Sequence, residues 1–304
     1  MDYNSIEKLF NSRTKYSKLL KKVKRLSQKK LGSILFDCIC ENNEDIFDFV
    51  LPMLENPNPS NSFGETATMY AAHYRRATMF KKLQERGAKL GSTTNHSFSC
   101  LMDGANEYYV TSLFAPNLHF GMDIYRYHQF GGVNDLMYAV AGIREINNSA
   151  EIVKLILSSG EIDVNAKDAD GYTALMYAAE SGNVPAVVLL LEAGAEIDAQ
   201  NKYGNTALMI ALTRMHSDYM IKTLVLCGSD QTIKNNFGEN AMDINRNVKE
   251  RVGVDNLAKA NRAKNMNLFN DQRHGRRIIK KLVNAKFDQN IYVEDDQNEY
   301  FLEK

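Results

Sequence analysis

The chain has 304 residues, in which 37 Lys+Arg balance 37 Asp+Glu and give a pI near 7.0, so a uniformly basic nucleic-acid binder is excluded. With 44% hydrophobic and 24% charged residues there is enough apolar material for an extended core, which excludes disorder throughout; length alone suggests two ordinary domains. No window approaches the roughly 18 uncharged apolar residues of a membrane span. The start MDYNSIEKLF also lacks the order of a signal peptide, so an intracellular protein of the cytoplasm or nucleus is expected.

The neutral total is a cancellation. Residues 1–30 carry +8, 31–245 carry −12, 246–287 carry +9 and 288–304 carry −5. In the first block, Tyr16, Leu19, Leu20, Val23 and Leu26 recur at helical spacing over residues 11–30, with Lys18, Lys21, Lys22, Lys24 and Arg25 among the cations on the remaining face. This predicts a basic amphipathic helix within 1–30. Its apolar stripe suits a cap on the first unit of a stack. Its cations equally suit an anionic membrane surface, phosphate backbones, an acidic partner or nuclear import.

The body of the chain is periodic. GYTALMYAAESGNVPAVVLLLEAGAEIDAQNKY (171–203) is followed at once by GNTALMIALTRMHSDYMIKTLVLCGSDQTIKNNF (204–237). The position of Met176 recurs as Phe36, Met69, Met102, Met137, Met176, Met209 and Asp243, at spacings of 33, 33, 35, 39, 33 and 34. Seven helix-turn-helix units follow, near 31–63, 64–96, 97–131, 132–170, 171–203, 204–237 and 238–270. Glycines at 64, 132, 171, 204 and 238 supply turn geometry, and Thr66, Thr173 and Thr206 are placed to cap the helices that follow. Gly87, Gly121, Gly194 and Gly228 stand where a second helix needs a left-handed stop. The 39-residue spacing puts about five extra residues, within REINNSA, at the turn between the helices of the fourth unit. Beyond the repeats, 251–287 reads as a basic helical cap and 288–304 as an acidic tail.

DADGYTALMYAA with LLLEAGAEIDA, NKYGNTALMIAL with LVLCGSDQTIK, and SFGETATMYAA with LQERGAKL resemble the ankyrin repeat. That resemblance implies an all-α solenoid with short β-hairpin loops over 31–250, helical extensions at both ends and no catalysis. It further implies a protein partner held by the hairpin fingertips and the concave helix face. The residues flanking each hairpin glycine are then the expected contacts: Phe63 and Glu65; Asp170 and Tyr172; Lys202, Tyr203 and Asn205; Phe237 and Glu239. Asn165, in Asp163-Val164-Asn165 after Leu157, matches the sites of asparaginyl hydroxylases. Where the family carries His in T-P-L-H this chain carries Met, so sulfur packing must replace the Thr–His hydrogen bonds. With 30 Asn, no Trp and Met-rich units, the composition resembles the ankyrin families of amoeba-infecting giant viruses and intracellular bacteria, which engage host factors.

No nucleophile, phosphate-loop or metal-ligand spacing stands out. The pair His119 and His128 lacks Cys or carboxylate support, so no metal or cofactor is expected. A monomeric interaction scaffold is the first expectation, with a host protein among its possible partners. A peripheral membrane or nucleic-acid adaptor working through 11–30 is the alternative.

Overall fold

The computed structural model describes residues 3, 4, 6, 23–95, 131–141, 146–213, 218–252, 257, 258 and 261. Helix α1 (Gln28–Cys40) starts at Ser27, whose hydroxyl accepts the Lys30 amide, and α2 (Glu44–Val50) starts at Asn43, whose side chain accepts the Ile46 amide. The next pairs are α3 (Ala67–His73) with α4 (Ala77–Glu85), then α5 (Asp135–Ala141) with α6 (Ile146–Ser159). They are followed by α7 (Ala174–Ser181) with α8 (Val184–Glu192), α9 (Ala207–Thr213) with α10 (Asp218–Leu226), and α11 (Ala241–Val252).

Inner helices α1, α3, α5, α7, α9 and α11 pack in sequence, and outer helices α4, α6, α8 and α10 form a second row. This is an all-α solenoid, which replaces the two-domain estimate. Its apolar residues form one continuous core from Ile6 and Val23 at one end to Ile244 and Leu257 at the other.

The expected threonine caps are present. Thr66, Thr173 and Thr206 hydroxyls accept the amides of Met69, Met176 and Met209 at 3.3–3.4 Å, and Asn134 does the same for Met137 at 3.1 Å. Each such cap contributes about 1 kcal/mol. The four methionines are buried. Met69 also uses its sulfur as a weak acceptor, 3.4 Å from the Thr66 amide, so packing is not its sole contribution.

The expected third unit, 97–131, lies outside the described residues except for Gly131; among the described residues α3 packs directly on α5 and α4 on α6. The reason is local to one turn. The Thr94 amide donates to Val133 O at 3.1 Å and the Gly132 amide to Thr94 O at 2.9 Å. These are the same two bonds that Asp168 makes with Tyr172 and Gly171, at 3.0 and 2.9 Å. Thr94 and Gly132 therefore close an ordinary inter-layer turn, and the chain leaves it at Asn95 and re-enters at Gly131. The 35 intervening residues, 96–130, match one repeat in length.

The outer helix that follows the expected insertion is longer than its neighbours, beginning at Ile146; residues 143–145 lie outside the described residues. α6 has 14 residues where α4, α8 and α10 have 9. Growth at its first turn leaves the stacking stripe Ile152, Val153 and Ile156 fully buried. The described loops between layers are short hydrogen-bonded turns, with one isolated antiparallel bridge, Ser60 to Thr66, and no strand among the described residues. Lys18, Lys21, Lys22, Gly121, His119, His128, most of the expected C-terminal cap and the acidic tail lie outside the described residues.

Joining Asn95 directly to Gly131 leaves a turn of the same length as Asp168–Tyr172. The chain lacking 96–130 is expected to fold cooperatively and to keep slow amide exchange at Thr94 and Gly132. Loss of that protection contradicts direct stacking of α3 on α5.

Candidate fingertip interface

Each described inter-layer turn projects as a finger, and in four of them one side-chain oxygen shapes the turn. Asn61 Oδ1 accepts the amides of Phe63 and Glu65 at 2.9 and 3.0 Å, and Asp168 Oδ1 those of Asp170 and Tyr172 at 2.9 and 2.8 Å. Asn201 Oδ1 accepts those of Tyr203 and Asn205, and Asn235 Oδ1 those of Phe237 and Glu239, all at 3.0 Å. Asn and Asp are the residues that hold their own backbone in this way. The glycine three positions later takes φ between +75° and +80° in these four fingers, a region that a Cβ disfavours.

Fingers then join edge to edge through the backbone. Asn95 donates to Phe63 O at 2.8 Å, Ala169 to Gly131 O at 2.9 Å, Lys202 to Asp170 O at 2.9 Å and Asn236 to Tyr203 O at 3.0 Å. Side-chain amides reinforce the joints: Asn236 Nδ2 reaches Lys202 O at 2.9 Å, and Asn235 Nδ2 reaches Asn205 Oδ1 at 3.0 Å. The result is a row of mutually braced turns along one edge of the solenoid.

The expected contact residues divide by burial. Phe237 is 75% exposed, Lys202 is exposed, and Phe63, Tyr203, Asn205 and Glu239 are half-buried. Lys202 lies 5.0 Å from the centre of the Tyr203 ring. Glu65, Asp170 and Tyr172 are buried and do not form outward-facing anchors. Glu65 accepts from Tyr138 Oη at 2.8 Å, Asn61 Nδ2 at 2.7 Å and Tyr70 Oη at 3.3 Å. Asp170 pairs with Lys202 across the finger joint, and the Tyr172 ring lies 5.4 Å from that of Tyr177. The Tyr177 hydroxyl donates to Asp168. Burial holds the Asp168 carboxyl above its ordinary range, and the Tyr177 hydroxyl, the Tyr172 amide and the Lys202 charge pull it back.

Asn165 sits in the next connection, half-buried, and ties two layers. Its Oδ1 accepts the Glu196 amide at 2.8 Å and its Nδ2 donates to Gly194 O at 3.4 Å. Asp198 fills the same place one unit on, accepting the Asp230 amide at 2.9 Å, and burial raises its carboxyl. Of the basic arm, Lys24 and Arg25 are exposed beside fully buried Val23, and Tyr3 accepts from Asn43 Nδ2 at 3.2 Å. No described helix is long and apolar enough to cross a membrane.

Residues 136–242 match the family model for ankyrin repeats in 3 copies. This stretch is built of ankyrin repeats. The chain is 36% identical over 95 residues to ankyrin repeat and SAM domain-containing protein 6 of Mus musculus, covering 31% of this chain and 11% of that protein. It is 32% identical over 181 residues to neurogenic locus notch homolog protein 1 of Homo sapiens, covering 56% of this chain and 7% of that protein. With E3 ubiquitin-protein ligase KEG of Arabidopsis thaliana it shares 36% identity over 95 residues, 31% of this chain and 6% of that protein. The chain thus spans about a tenth or less of these relatives' length. What is shared is the ankyrin region.

Two glycines separate finger strain from finger crowding. At Gly204 (φ +76°) an added Cβ meets Asn236 N at 2.8 Å and Asn235 Cα at 2.9 Å, whereas at Gly194 (φ +94°) it meets nothing within 4 Å. Gly194→Ala is expected to cost about 1 kcal/mol in urea unfolding, from backbone strain alone. Gly204→Ala adds displacement of the neighbouring finger and is expected to cost about 3 kcal/mol. Equal costs contradict the finger-to-finger brace.

Proposed function

We propose that this chain is a non-enzymatic, intracellular scaffold for protein–protein interaction, and that its fingertip row binds the partner. The observation that carries this reading is the exposure of Phe237 on a finger whose backbone is fixed by Asn235 and by the preceding finger. A rigid aromatic loses little conformational freedom on binding and suits an interface anchor. Phe63, Lys202, Tyr203, Asn205 and Glu239 extend the surface along the same edge. Glu65, Asp170 and Tyr172 support it from beneath. The ankyrin region shared with the relatives supports an interaction role, because the fold is typically an interaction module.

The net charge of −12 over residues 31–245 favours a basic protein partner and a salt-sensitive association. Asn165 is bonded on both sides of its amide, so its hydroxylation requires local opening of the joint between its layer and the next. We read the N-terminal segment as a cap, because Tyr3, Ile6 and Val23 join the core.

Affinity purification from the source cell is the test, comparing the parent with Phe237→Ala and Tyr203→Ala after circular dichroism shows that both fold. Depletion of the same partners by both substitutions is expected. Unchanged partners overturn the fingertip reading. Partner loss, or loss of vesicle or DNA binding, on Lys24→Glu with Arg25→Glu alone transfers the role to the basic arm.

A further inference from the structure

Five inner helices start at equivalent positions, and four of them start with alanine: Ala67, Ala174, Ala207 and Ala241. The fifth, α5, starts with Asp135, which is 0% exposed. An Asp in a site shaped for a methyl group is costly unless every oxygen is paired. One of its oxygens, Oδ2, accepts the Gly91 amide at 3.0 Å; the other, Oδ1, has no hydrogen-bond partner.

The adjacent amide, Leu90, donates to Glu161 Oε2 at 2.8 Å. Two successive amides of the second layer thus hold two carboxylates of the following layer. No other described layer boundary carries such a pair. This is also the boundary at which the chain departs for residues 96–130.

We propose that Asp135, with Glu161, makes this boundary a proton-sensitive clasp that tightens when Asp135 takes up a proton and loosens when it is ionised. The surroundings support this direction. From α3 comes Thr68, a neutral hydroxyl that stabilises the ionised form, while His73 of the same helix lies against Tyr138, with ring centres 6.0 Å apart. The 88–91 connection brings Lys89 through its carbonyl, which accepts from Asn58 Nδ2 at 3.0 Å. Beyond α6 stands Glu161, whose charge opposes ionisation of Asp135. On α7 the acid is Glu180, in the last turn, whereas Asp135 is in the first turn of its own helix.

Burial, with Glu161 adding repulsion, pushes the Asp135 carboxyl from 3.8 up to about 6 against the opposing Thr68 and Gly91 hydrogen bonds. A raised carboxyl pKa means that the folded state holds the proton more tightly than the unfolded state. Stability from this group is therefore full below the unfolded value and is lost as pH rises through the folded one. Loosening separates the first two layers from the rest and breaks the fingertip row between Phe63 and Asp170.

The test uses the full chain at pH 5 and pH 8. After correction for intrinsic rates, exchange of the Leu90 and Gly91 amides should be about tenfold or more faster at pH 8, while that of Lys202 stays level. Thermal midpoints of Asp135→Asn and Asp135→Ala, measured against the parent, should improve from pH 5 to pH 8. Alanine is the residue of the other four helices, so the second variant is compatible with the fold. Equal protection of Leu90 and Gly91 at the two pH values overturns the proposal, however the variants behave. So does a variant-to-parent difference that does not move with pH.

Discussion

Four of the described fingers each rest on one side-chain oxygen. By accepting two amides, two and four residues ahead, Asn61, Asp168, Asn201 and Asn235 each hold the turn at the base of an inner helix. Each bond contributes about 1 kcal/mol net, but its geometric effect is larger than its energy. A turn held in this shape presents one carbonyl outward to the next finger and places the following Thr or Asn to cap a helix. Edge-to-edge bracing and inner-helix register both follow. In a stack stabilised by nearest-neighbour contacts, repetition of one such joint keeps the layers in line.

The inner row adds a second constraint, because it buries polar groups where a core prefers none. Glu65 is 1% exposed and is held by the hydroxyls of Tyr70 and Tyr138 and by the Asn61 amide. Asp168 combines finger-shaping with a bond to Tyr177. A buried carboxylate with several donors is tolerated, and removing one donor exposes its desolvation cost. These carboxylates link finger to helix within a layer, and through Tyr138 they link layer to layer. Beneath the exposed ring of Phe237, the finger's backbone is held by Asn235 and by the Asn236–Tyr203 joint.

The repeat period, helix pairs, threonine caps and left-handed glycines were legible because each depends on spacing within one unit. The finger glycines and their aromatic neighbours were legible for the same reason. Burial of Glu65, Asp170 and Tyr172 was not, because it depends on tyrosines from α3, α5 and α7 and on a lysine one finger away. The finger-shaping Asn or Asp three residues before each glycine was visible at spacings of 33 and 34 from Asp168 to Asn201 to Asn235, yet it read only as asparagine-rich composition. The segment 96–130 has the length of one unit and carries Met102 in register, whereas the direct packing of α3 on α5 depends on contacts that no spacing reveals. Asp135 in an alanine position was the local sign that this boundary differs from the others.

Side-chain-shaped fingers brace one another into a single row. Residue-resolved amide exchange of the parent and of Asn201→Ala tests it most directly. Slow exchange is expected at Asn95, Ala169, Lys202 and Asn236 in the parent. In the variant, protection should fall at Tyr203 and Asn205 and also at Lys202 and Asn236, with Asn95 unchanged. Rapid exchange of the four bridging amides in the parent contradicts it, as does a loss in the variant confined to Tyr203 and Asn205.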